Sequence, residues 1–144
     1  VTKREAMIES FFGVFALAIV EMWAAIPLGF QQKLPPVLIG VAVASGAFFG
    51  AVVAMLAGNG IRRLIFWRKT EATEGSRLSK WLTKKGPWAI GVLGPLLMGP
   101  MFAALLAGAV GLPRTLSLTL LAIGILVWTA IIVVLGTFGL AALR

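Results

Sequence analysis

Glu21 is the residue best placed to do chemistry. It stands in "IVEMWAAIPLGFQQKLPP" (19–36), inside an apolar run and away from that run's charged end, ahead of Pro27, Gly29, Gln31 and Gln32. A carboxyl beside an unwound polar segment is how a proton-coupled carrier would be built, and it equally suits a cationic substrate. A charged carboxylate near mid-membrane costs on the order of 2.5–3.5 kcal/mol even on lenient insertion scales. The structural alternative is that Glu21 snorkels to the interface or pairs with Lys33 or Arg114 as a strut. Gln31 and Gln32 offer amide donors and acceptors at the same break, or simply a hydrated turn. A second break, "GPLLMGPMFAALLAGAVGLP" (94–113), carries no charge at all. Its Gly94–Pro95 and Gly99–Pro100 pairs would free backbone amides and carbonyls, because proline removes a donor and glycine lets the chain bend.

Many other chemistries are excluded by residue type. The chain has no Cys, no His and no Asp, so thiolate catalysis, haem ligation by His, Cys/His zinc sites and a Ser-His-Asp triad are all impossible. Five acids are present: Glu5, Glu9, Glu21, Glu71 and Glu74. This inventory argues against an enzyme and calls for no cofactor and no metal.

The elements that must position these residues are membrane elements. Of the 144 residues 60 % are hydrophobic and 12 % charged, against roughly 45–50 % and 25 % in soluble domains. Residues 37–57, 86–112 and 115–143 contain no charge. The expectation is one all-α integral membrane domain over 1–144, with apolar stretches at 6–26, 37–57, 86–111 and 115–143. Each can cover most of a ~30 Å hydrocarbon core. Within the second, Gly46 and Gly50 form a small-xxx-small face suited to close helix approach.

The basic residues cluster between these stretches. Eight of thirteen lie in the loop assigned to 61–85: Arg62, Arg63, Arg68, Lys69, Arg77, Lys80, Lys84 and Lys85. Between two apolar runs this reads as a cytoplasmic loop rather than a nucleic-acid patch. The periodicity of "SRLSKWLTKK" (76–85) predicts a short amphipathic helix on the leaflet, with Trp67, Trp81 and Trp88 at headgroup level and Arg114 as an interfacial anchor. The bilayer is thus one partner, and a prokaryotic inner or plasma membrane the expected location.

Sliding the chain against itself by 78 residues aligns Gly13 with Gly91, Leu34-Pro35 with Leu112-Pro113, Gly46 with Gly124 and Gly58 with Gly136, among ten identities from 13 to 58. Two halves (6–60 and 86–144), each a broken segment followed by a clean helix, make the pattern of inverted-repeat transporters. The rival is a plain four-helix bundle. Positive-inside counting gives the bundle eleven basic residues against two, and the re-entrant arrangement nine against four.

The two breaks resemble the small multidrug export family, on "VEMWAAIPLGF…LPP" and "GPLLMGPMFAALLAGAVGLP". That family is similar in turn to the DedA, or SNARE-associated, membrane proteins with paired re-entrant hairpins. The resemblance implies export of a small hydrophobic or cationic compound, with a lipid-carrier flippase or scramblase as the alternative. DedA-type proteins rely on acidic and Arg residues in their hairpins, and here Pro95 and Met101 stand near where the arginines would fall. A non-transporting subunit that docks partners on Gly46–Gly50 and the basic loop is the reading from a different class. A chain this small is expected to need a second copy, as a homodimer, to enclose a pathway.

Overall fold

The computed structural model describes residues 2–66 and 77–143, with side chains placed for all of these except 66 and 77–83. All regular structure among them is α-helix: α1 Lys3–Val20, α2 Met22–Gln31, α3 Pro36–Phe66, α4 Arg77–Leu97, α5 Pro100–Val110 and α6 Arg114–Ala142. A plain four-helix bundle is therefore replaced by six helices, two of which, α3 and α6, are long and apolar enough to cross a membrane.

α1 opens with a capping box. The Thr2 hydroxyl accepts from the Glu5 amide at 3.3 Å, and the Glu5 carboxylate accepts from the Thr2 amide at 2.9 Å. The helix stops at Glu21, whose backbone is extended (φ −139°, ψ 98°). There the chain doubles back: Gly13 of α1 lies beside the Gln32 amide just past α2. In one continuous helix those residues would be ~28 Å apart. α4 and α5 double back in the same way at Met98–Gly99, which sets Gly94 against Ala103.

Helix boundaries recur at a spacing of 78 residues. Met22 and Pro100 open α2 and α5, and Pro36 and Arg114 open α3 and α6. Both short helices also end alike. Lys33 (φ 56°) and Gly111 (φ 81°) are left-handed, the amides of Leu34 and Leu112 return to Gly29 and Ala107 O at 3.1 and 3.0 Å, and both leucines are buried. This is the Schellman arrangement, which satisfies the last helical carbonyls.

Glycines set the crossings. Gly46 and Gly50 press on the backbone carbonyls of Phe15 and Ile19, so α1 and α3 run parallel. The Gly46–Gly50 face is thus filled from within the chain rather than left for a partner. Gly124 presses on Gly91 O in the α4–α6 crossing, and Gly58 and Gly108 bring the α3 and α5 backbones together. α2 runs parallel to α6, since Met22 meets Thr129 and Phe30 meets Gly136. Because the short turn to α3 reverses direction, α3 and α6 are antiparallel. One end of the molecule therefore carries Arg62, Arg63, Lys84, Lys85 and Arg114, and the other Lys3, Arg4 and Lys33.

Two expected boundaries shift. α3 continues to Phe66 and α4 begins at Arg77, so both ends of the 61–85 loop are helical. The described part of the amphipathic segment, from residue 77 to 85, is not a separate helix but the first turns of α4, because Gly86 and Pro87 pass within the helix. Ser76 and Trp67, and the side chains of Arg77, Lys80 and Trp81, lie outside the described residues. Trp88 is exposed.

Candidate functional site

Both chain reversals meet at one place. Glu21 is at once the last cap of α1 and the first cap of α2. Its Oε1 accepts from the Trp23 amide at 3.3 Å, satisfying one of the orphan N–H groups that open α2. A carboxylate there also faces the positive end of the α2 dipole, an interaction of ~0.3–1 kcal/mol when exposed and up to ~2 kcal/mol when partly buried. Across from it stands Gly99, where a β-carbon would lie 3.9 Å from the same Oε1. Gly99 (φ 80°, ψ 153°) occupies backbone space open essentially to glycine alone. α5 starts at Pro100 with no side-chain cap, so two short helices have their N-termini at this point, with one carboxylate between them.

A third contact ties the hairpins together. The Trp23 indole N–H donates to Pro95 O at 3.0 Å. α4 stops at Leu97, which leaves the carbonyls of its last turn without helical partners, and Trp23 supplies one. Glu21, Trp23, Leu96, Leu97, Met98 and Gly99 then line a surface-open cavity of about 380 Å³. Glu21 is half-buried there, and among the described residues no basic side chain is paired with it. Lys33 lies beyond the far end of α2, ~15 Å of helix away, so the strut between them does not form. Arg114 stands past the far end of α5 and forms none either.

The residues expected to form one site separate into two groups. Glu21, Gly99 and Pro95 come together, with buried Pro100 opening α5 beside them. Gly94 is buried against Ala103 as part of the hairpin packing. Pro27 and Gln31 instead line a larger, mostly apolar cavity of about 750 Å³ between α2 and α6, with Trp23, Ile26, Phe30, Ile132, Leu135, Gly136 and Leu140. Trp23 borders both spaces. Gly29 is packed on Ile39, and Gln32 is an exposed C-cap.

Of the breaks expected at prolines, the one at Gly99–Pro100 forms, with Gly99 capping α5 and Pro100 opening it, whereas those at Pro27 and Gly94–Pro95 do not. Pro27, Pro87 and Pro95 all lie inside helices. The reversals fall at Glu21, which needs only extended backbone capped by its own side chain, and at Gly99, which needs positive φ. Trp23 was missed as a site residue. Its signal was a single indole two residues after the lone core acid, since a buried indole N–H must find an acceptor. Trp128 likewise donates to α4, to Val92 O at 3.0 Å, through an exposed bond.

No protein-family model, curated protein or solved structure matches this chain.

Proposed function

We propose that the protein is a small membrane-embedded secondary transporter in which Glu21 carries the proton. The observation that carries this reading is the meeting of two helical hairpins at one carboxyl, Glu21 against Gly99. α2 and α5 have 10 and 11 residues, or ~15 Å each, about half of a ~30 Å hydrocarbon core. With α3 and α6 spanning, their junction falls near mid-membrane. Helices broken at that depth, with N-termini aimed at a shared site, are the usual construction of carrier sites. The antiparallel course of α3 and α6 supports taking the halves as an inverted repeat. The resemblance to the small multidrug export family points the same way.

In this reading the ionised carboxylate is held by the Trp23 amide and the α2 N-terminus. A proton and a cationic or hydrophobic cargo compete for the space around it, so loading one releases the other. The apolar cavity between α2 and α6, opened by Phe30 and bordered by Trp23, holds the cargo's apolar part. The basic end (Arg62, Arg63, Lys84, Lys85) faces the cytoplasm, following the positive-inside bias. A homodimer completes the walls, since the cavities of one copy lie at its surface; crosslinking in nanodiscs reports whether a monomer suffices.

The test is Glu21→Gln in proteoliposomes carrying a pH gradient. The amide keeps an oxygen to cap α2, so the variant folds and gives up no more than the charge–dipole interaction of ~0.3–2 kcal/mol, while proton-coupled flux of a lipophilic cation is lost. Unchanged flux removes Glu21 from the mechanism. The sideways position of the apolar cavity favours a second reading, a lipid translocase. That reading expects scrambling of a fluorescent lipid that survives Glu21→Gln, and rates no higher than in empty liposomes end it.

A further inference from the structure

At the end of the molecule remote from Lys33, four polar side chains from two helices surround one cavity of about 430 Å³: Asn59, Arg62 and Arg63 from the last turns of α3, and Arg114 from the first turn of α6. We infer that this cavity is an anion site for a phosphate oxyanion, carried either on a phospholipid headgroup or on a soluble phosphate ester.

Arg62 reaches back over the C-terminal end of α5. Its guanidinium lies against Gly111, the left-handed C-cap of α5 (φ 81°), and a β-carbon there would overlap the guanidinium itself. Gly111 is needed for its backbone angle, and its bare surface lets the Arg62 guanidinium lie against it. Asn59 is half-buried and adds an amide, while Arg62, Arg63 and Arg114 are all exposed. α6 starts here behind Pro113 with no side-chain cap. Its first N–H groups and the positive end of its dipole add to the same field. Guanidinium groups bind phosphate through paired, nearly parallel N–H···O bonds, which lysines cannot reproduce.

The opposite end of the molecule supplies an internal control. The same backbone arrangement recurs 78 residues away, where Lys33 replaces Gly111, Pro36 replaces Arg114, and Thr137, Leu140 and Ala141 replace Asn59, Arg62 and Arg63. Repetition of the fold does not by itself produce this cluster; one end alone carries it. Its depth also fits a headgroup. α3 has 31 residues, ~46 Å of helix, which exceeds a ~30 Å hydrocarbon core by several turns and places Arg62 and Arg63 at phosphate level.

The experiment uses the full chain in a neutral detergent. Dissociation constants are measured by calorimetry for short-chain phosphatidic acid, glycerol phosphate and inorganic phosphate, with short-chain phosphatidylcholine and a chain-matched neutral diacylglycerol alongside. Expected is saturable, salt-sensitive binding of phosphatidic acid, weakened at least tenfold by Arg63→Gln combined with Arg114→Gln and only partly restored by lysine at both positions. Lys84→Gln with Lys85→Gln removes the same charge from the same end outside the cavity and leaves the affinity unchanged. Competition by inorganic phosphate or glycerol phosphate assigns the site to the oxyanion from either source. Binding of the lipid alone assigns it to headgroups, and binding of the soluble phosphates alone to free phosphate esters. An equal loss in the Lys84/Lys85 variant, diacylglycerol binding as tight as phosphatidic acid, or no binding by any phosphate compound overturns the proposal. Thermal melting of each variant shows that exposed Arg63 and Arg114 are not required for folding.

Discussion

The crossing of α3 with α5 and that of α6 with α2 stand 78 residues apart in sequence and occupy equivalent places, yet they are packed in opposite ways. In the first, Gly58 and Gly108 face each other, and a side chain on either would strike backbone: Leu105 O for Gly58, Met55 O for Gly108. In the second, Gly136 retains the glycine, but its opposite is Phe30, and the two helices part around a cavity of about 750 Å³. One half is closed by two missing side chains, and the other is propped open by a single ring. Two equivalently placed helix pairs in one chain are thus closed in one case and open in the other.

The difference is sharpest in what each glycine tolerates. Leucine at Gly108 has no side chain to displace, only the α3 backbone, so Gly108→Leu is expected to cost about 3 kcal/mol or more. Leucine at Gly136 meets the Phe30 ring, which can swing into the adjacent space, and helix propensity returns up to ~1 kcal/mol. Gly136→Leu is therefore expected to cost less than about 1.5 kcal/mol. Thermal unfolding in detergent, followed by tryptophan fluorescence, measures both. Equal losses would mean that the two crossings are packed alike.

The reversals form a second pair of equivalent positions, Glu21 and Gly99, solved by different chemistry. Gly99→Ala forces a β-carbon into backbone space that only glycine enters comfortably, at about 1–3 kcal/mol. Glu21→Ala removes a cap and leaves a permitted backbone, at about 1 kcal/mol. The same melts rank them; a harmless Gly99→Ala would show that the α4–α5 reversal does not depend on positive φ.

That pair also marks what could be read before the structure. The 78-residue spacing anticipated the matching helix starts, because its identities include glycines that sit at helix crossings and the Leu-Pro steps ahead of α3 and α6. The break at Gly99–Pro100 was legible, but those expected at Pro27 and Gly94–Pro95 do not form, because proline was given more weight than geometry. Inside a membrane helix a proline costs one hydrogen bond, and the carbonyl left behind can find another donor. A reversal instead needs a residue whose backbone leaves the helix altogether. Applying the repeat to the acid itself pairs Glu21 with Gly99, which is the junction observed. What no pattern contained was the contact between the hairpins, since Trp23 and Pro95 are 72 residues apart and unrelated by the repeat.

Trp23 and Trp128 each donate to a carbonyl of α4, and their replacement separates a wet cavity from a dry one. Trp23→Phe keeps an aromatic ring and deletes the N–H, leaving Pro95 O to find another partner. If water fills the space beside Glu21, it can take over that bond, and the loss stays at or below about 1 kcal/mol, the usual net worth of a hydrogen bond. If the space is dry, the carbonyl is stranded and the loss rises toward about 3 kcal/mol. Trp128→Phe, at an exposed bond on the outer side of α4, is the reference. Because a carboxyl exchanges protons only where water or another relay reaches it, the expected result is a small loss for Trp23→Phe in melts in detergent. A large loss would leave Glu21 as a cap for α2 and no more.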